Sequence, residues 1–129
     1  MNQNQSTHIK ITPELAVLLK DYMKKDSHHL SKFNQEKLNK ELVEAEIIKD
    51  EDLPADIIKL NSEVKLVDIS TKKEMILQIV PADDANPSKG KISILSPFSI
   101  ALIGYGEGSV IEWEMPSYIK NFKILEVNN

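Results

Sequence analysis

The spacing of apolar residues changes period once along this chain, near residue 62. That change limits the fold to a helical part followed by a sheet-forming part. Before it, Leu15, Leu18, Leu19, Tyr22 and Met23 recur at i, i+3, i+4, i+7 and i+8, the stripe of an amphipathic helix. After it, Val64, Leu66 and Asp68 alternate with Lys65, Val67 and Ile69, the period of a strand. The punctuation agrees. Thr12 is an N-cap with Pro13 at the first helical position and Glu14 in the first turn, and Lys24 and Lys25 suit the C-terminal end. Asp26 to Leu30 reads as a break. A second helix begins at Ser31 or Asn34, with Leu38, Leu42 and Ala45 as its stripe and Glu36/Lys40 and Lys40/Glu44 as i,i+4 pairs. It ends before Pro54, which disfavours helix at Leu53. Two such helices with a short break make an antiparallel hairpin. At about 12 and 15 residues they reach only about 18 and 22 Å. Residues 1–10 read as a polar, frayed tail.

Beyond residue 62 the pattern predicts a β-hairpin over 63–80, turning at Ser70-Thr71-Lys72-Lys73. A proline-bounded polar loop, PADDANPSKG, follows, and further strands are expected near 91–95, 109–115 and 119–127. The expectation is an α+β chain, with a tail and short helical hairpin over 1–52 and a strand-rich domain over 53–129. The latter would be one antiparallel sheet of about five strands with one short helix.

Composition removes several function classes. With 16 basic against 20 acidic residues the net charge is −4, and neither part is a basic nucleic-acid footprint. Every basic residue is lysine, so the bidentate fork that reads guanine is missing. There is no cysteine for disulfide or thiolate chemistry. The N-terminal MNQNQSTHIK has no apolar leader core, no stretch is long and apolar enough to span a bilayer, and the chain reads as cytoplasmic with no membrane partner.

The densest information lies in Lys91 to Pro116, KISILSPFSIALIGYGEGSVIEWEMP. Ile92 and Ile94 alternate with Lys91 and Ser93 as a strand. Ser96-Pro97 starts a short apolar helix that stops at Gly104, Gly106 and Gly108 break the chain again, and a strand runs from Val110 to Pro116. In order and spacing, ISILSP, ALIG, GEGS and VIEWEMP resemble the C-terminal domain of the Gre transcript-cleavage factors (the GreA/GreB family). Upstream, LNKELVEAEIIKDEDLPADIIKLNS and the later IEWEMP run look like the regulator of nucleoside diphosphate kinase branch, Rnk.

The resemblance covers roughly Leu38 to Val127 and implies an FKBP-like domain that docks on the rim of the secondary channel of RNA polymerase. Any contact with nucleic acid would be indirect, through the polymerase. The loop entering the short helix, here Leu95, Ser96, Pro97 and Phe98, would touch that rim, with the Gly104, Gly106 and Gly108 turn beside it. Two departures stand out: Leu95 replaces a polar residue, and Ser117-Tyr118 replaces paired glycines. The resemblance also implies that the hairpin tip enters the channel, where cleavage factors carry acidic residues that help hold magnesium on a much longer hairpin. Here the tip is KKDSHHLSK, with Lys24 and Lys25 beside the single acid Asp26. One carboxylate among lysines is a poor ligand set for a hard cation, so neither a resident metal nor cleavage stimulation is expected.

Other candidates have simpler readings. His28 and His29 are adjacent, with no third ligand at metal spacing. Asp83 and Asp84 sit in a polar loop. Glu112 and Glu114 read as the outward face of a strand whose Trp113 points inward or serves as an exposed anchor. No nucleophile motif, phosphate loop or cofactor-binding pattern is present. The expected function is a non-enzymatic regulator that binds RNA polymerase. The alternatives are a cleavage-stimulating elongation factor and, from another class, an FKBP-like prolyl isomerase or peptide-binding module. Against the isomerase, one Trp, three Tyr and three Phe are too few to line an aromatic pocket and also fill a core.

Overall fold

The computed structural model describes residues 8–116 and 118–129. The chain divides into two compact units, Met1–Leu53 and Pro54–Asn129.

In the first unit, β1 (Lys10–Ile11) leads into α1 (Pro13–Lys25), a 3-10 turn at Ser27–His29, α2 (Lys32–Glu44) and β2 (Glu46–Ile47). Thr12 caps α1, its Oγ1 accepting from the Leu15 amide at 3.2 Å. The Asp26 amide closes the helix on the Tyr22 carbonyl at 2.8 Å. Ser31 is the cap of α2, accepting from the Asn34 amide at 3.1 Å, which settles the start left open between Ser31 and Asn34. Leu15, Leu19, Tyr22, Leu30 and Leu38 are buried. The ion pair of α2 runs Lys37–Glu41 at 2.6 Å, one residue along from the expected Glu36/Lys40 pairing.

One expectation is corrected here. Residues 1–7 of the supposed frayed tail lie outside the described residues, but Ile9 and Ile11 are buried and β1 pairs in parallel with β2. The Glu46 amide donates to the Ile9 carbonyl and the Ile48 amide to the Ile11 carbonyl, both at 2.9 Å. This clasp ties the two ends of the helical excursion together. Two 13-residue helices that leave and return to one clasp must run antiparallel, each about 20 Å long.

The second unit holds β3 (Glu63–Asp68), β4 (Glu74–Val80), β5 (Lys91–Ser93), α3 (Pro97–Leu102), β6 (Val110–Glu114) and β7 (Ile119–Asn128), with the sheet in the order β5-β4-β3-β7-β6. The sheet is mixed rather than wholly antiparallel. β5 lies parallel to β4, Ile79 opposite Ile92, because the loop and 3-10 turns of residues 81–90 carry the chain back before it re-enters the sheet. A bulge shifts the β3–β7 register between Lys65 and Leu66. It inverts the alternation along β7, so that Phe122 and Ile124 before it and Val127 after it are all buried. Phe98 meets Phe122 edge-on, ring centroids 5.2 Å apart, so α3 covers the face that Phe122 shares with Ile124. Ile100, Ala101, Leu102 and Ile103 fill that core with Val64, Leu66, Ile79, Ile111 and Trp113. Trp113 therefore points inward and is no exposed anchor. Glu112 is exposed beside it.

Candidate polymerase-contact surface and hairpin tip

The loop between β5 and α3 is held by its own serines. The Ser93 Oγ accepts from the Leu95 amide at 3.0 Å, and the Ser96 amide donates to the Ser93 carbonyl at 3.0 Å. Ser96 Oγ caps α3 by accepting from the Ser99 amide at 3.3 Å, and it donates to the buried Ser99 Oγ at 3.0 Å. These bonds turn Leu95 outward, 48% exposed, next to an exposed Pro97 and a half-buried Phe98. Leu95, Ser96, Pro97 and Phe98 thus form one rigid corner.

The three glycines lie at the other end of α3 and act on the backbone. Gly104 follows the helix with φ of 90°, a conformation that strains any residue with a Cβ, and its amide donates to the Ile58 carbonyl at 2.9 Å. Gly106 bridges to Ile57; a Cβ there would lie 3.1 Å from Ile57 Cδ1 and 3.2 Å from Asp56 Oδ2. The Gly108 amide donates to the Ile124 carbonyl at 2.8 Å. The structure therefore separates the expected contact residues into a corner at the start of α3 and a glycine turn past its end.

Sequence reading passed over the groups that flank the corner. Asp68 ends the inward-facing row of β3, and Lys120 stands one inward position before Phe122 on β7. Their side chains pair at 2.7 Å, Asp68 4% and Lys120 21% exposed. The Lys120 ammonium, together with Ser70 Oγ and the Ser70 and Thr71 amides, holds the Asp68 carboxyl far below the usual carboxylate range. The same bond to Asp68, with a smaller contribution from Tyr118, raises Lys120. Lys120 Nζ also lies 5.5 Å from the Tyr118 ring centre and 6.0 Å from that of Phe122, the ring that supports Phe98. The available signal was a charged residue, Asp68, in register with Val64 and Leu66. The expected departure at Ser117 lies outside the described residues; around it the Met115 amide donates to the Tyr118 carbonyl at 2.8 Å.

In the first unit the tip is solvated. Lys24, Lys25, Asp26, His28 and His29 are all exposed, and Lys25 pairs loosely with Asp21 at 3.3 Å. The two imidazole rings lie with centroids 4.1 Å apart, their planes tilted by 39°. The Tyr22 hydroxyl is buried without a hydrogen-bond partner among the described residues; burial raises its pKa, and the nearby Asp26 charge raises it further. Among the described residues no cluster of three or more His, Cys, Asp or Glu side chains is placed to hold a metal ion, and no helix is long and apolar enough to cross a membrane.

Comparison with known proteins agrees with the fold. The model of the transcription elongation factor GreA/GreB C-terminal family matches residues 53–129. Transcription elongation factor GreA of Bartonella henselae is 40% identical over 101 residues, covering 78% of this chain and 63% of that protein. GreA of Helicobacter hepaticus is 37% identical over 86 residues, covering 67% and 53%. The chain thus spans between half and two thirds of the length of these curated relatives. Among solved structures, the elongation factor GreA/GreB from Nitrosomonas europaea is 31% identical and superposes with a TM-score of 0.68, covering 96% of this chain and 100% of its own. Thermus aquaticus Gfh1, 21% identical with a TM-score of 0.53 and coverage of 96% and 100%, shares the fold. A matched domain over most of the chain and a relative alike along its whole length place this protein in the GreA/GreB transcription elongation factor family.

Proposed function

We propose that this chain is a non-enzymatic regulator that binds RNA polymerase at the rim of the secondary channel and does not stimulate transcript cleavage, as the likeness to the Rnk branch implies. The observation that carries the reading is the hairpin tip. Asp26 is its one carboxylate, with Lys24 and Lys25 before it and Lys32 after it. Magnesium binds oxygen ligands in strict octahedral geometry and is repelled by adjacent ammonium groups. The helices behind the tip rise about 20 Å from a closed clasp, short for reaching down a deep channel. Membership of a family of elongation factors supports the choice of polymerase as partner. The exposed Leu95 and Pro97, backed by Phe98 on Phe122, supply a preorganised apolar corner of the kind that anchors protein interfaces.

Three assays test this. Core RNA polymerase immobilised on beads should retain the protein, and a GreA protein added in excess should displace it. A stalled elongation complex should show no faster transcript cleavage with the protein than without it. Strong stimulation of cleavage would return the protein to the elongation-factor class. Absence of retention would remove polymerase altogether and favour the peptide-binding alternative, for which acceleration of prolyl isomerisation in a proline peptide is the readout.

A further inference from the structure

The two edges of the five-stranded sheet differ. At one, β5 is already covered: the Asn86 amide donates to the Lys91 carbonyl at 2.8 Å, and the Lys91 amide donates to the Asn86 carbonyl at 3.1 Å. The other edge is β6, whose one neighbour in the sheet is β7. Two bonds fix which backbone groups of β6 are spent on β7. The Ile124 amide donates to the Ser109 carbonyl at 2.9 Å, and the Met115 amide to the Tyr118 carbonyl at 2.8 Å. Hydrogen-bonded pairs alternate along an antiparallel ladder, so Ser109, Ile111, Trp113 and Met115 face β7. Val110 and Glu112 therefore aim their amides and carbonyls away from the sheet. Among the described residues no strand or isolated bridge covers that side. Val110 is 53% exposed, and Glu112 is exposed as well.

An open edge is a template for another strand, and the charges select which strand. The side chains of Val110, Glu112 and Glu114 share the outer face of the sheet, opposite the buried Ile111 and Trp113. Across the ladder Glu112 meets Asn121 and Glu114 meets Ile119, so β7 sets no cation opposite either carboxylate. A second copy of this chain is a poor occupant. Antiparallel pairing of β6 with itself over its full length puts Glu112 opposite Glu112, and like charges directly opposite each other repel. A strand with basic residues on one face answers both carboxylates. Its other face lies beside Ile111 and Trp113 and takes apolar residues. We propose that the open edge of β6 binds an extended segment of a partner protein in which basic and apolar residues alternate, adding a sixth strand to the sheet. This surface is separate from the corner at Leu95–Phe98, and its occupation does not depend on polymerase.

The test uses the whole protein, without polymerase, and three short peptides. In one, lysine alternates with valine; in the second, glutamate alternates with valine; the third is the lysine peptide N-methylated throughout, which keeps the charges and removes every amide donor. Amide hydrogen exchange read by NMR reports the site. At ten times its Kd the lysine peptide should slow exchange at Val110 and Glu112 about tenfold by mass action. The N-methylated and glutamate peptides should not. E112K should weaken the lysine peptide about fivefold, the upper range for one opposed charge pair, and should improve binding of the glutamate peptide. V110P removes one edge amide at the first residue of an edge strand, where proline is tolerated, and should abolish protection at Glu112. Circular dichroism checks that each variant is folded. No protection by the lysine peptide, equal binding of the N-methylated peptide, or indifference to E112K would each overturn the proposal. So would a concentration-dependent dimer that protects the same amides without peptide. None of these outcomes bears on retention by polymerase, so the two readings fail separately.

Discussion

Asp68 continues the buried row of Val64 and Leu66, and its carboxylate is tolerable there because Lys120 and the Ser70-Thr71 turn meet it. Folding depresses the Asp68 pKa and raises that of Lys120. The Asp68 contribution is therefore complete above the ordinary carboxylate value of about 3.9 and drains away as pH falls below it; the Lys120 contribution is complete below about 10.4 and is lost as pH climbs past it. D68N should lower the urea midpoint at pH 7, and its deficit against the parent protein should shrink steadily below about pH 4. A constant deficit down to pH 2 would show that the hydrogen bonds, not the charge, matter. The Ser96 cap is more local: S96A should cost about 1 kcal/mol, and S96D should recover most of it. The cap was legible because Ser-Pro before an apolar run is a local signal. The Asp68–Lys120 pair was not, since 52 residues separate its members and only the sheet order brings β3 beside β7.

At the scale of elements, helices and long strands were readable and the short ones were not. Thirteen-residue helices repeat their stripe three times, β3 alternates over its six residues, and β4 is a seven-residue run rich in apolar residues. Two-residue β1 and β2 have no period to detect, although Ile9 and Ile11 around Lys10 are in hindsight the inward and outward steps of a strand. The parallel placement of β5 was hidden for another reason: period reveals a strand but not its neighbour. The clasp is testable. I11A should cost about 2–5 kcal/mol as a fully buried truncation. It should also speed hydrogen exchange at the Glu46 and Ile48 amides, whose acceptors are the Ile9 and Ile11 carbonyls. Unchanged exchange there would mean that β2 is held by something other than β1.

At the scale of the whole molecule, the two units differ in what they can report. Trp113 is the sole tryptophan and is buried in the second unit, whereas the first contains none. Residues 54–129 expressed alone should keep a blue-shifted Trp113 emission and unfold in a single cooperative transition. A red-shifted emission in that fragment would show that this unit does not fold independently. The candidate contact corner at Leu95–Phe98 was legible as a place, through Ser-Pro. Its support was not, because the Phe98–Phe122 contact joins elements far apart in sequence.

The clasp also makes the height of the helical finger an adjustable dimension. With both ends tied at the base, matched seven-residue insertions in α1 and α2 would keep the buried stripe in phase and lift the tip about 10 Å per step. Graduated fingers carrying acidic tips would turn one scaffold into a depth gauge, reporting how far a probe must descend before a docked protein gains hydrolytic consequence.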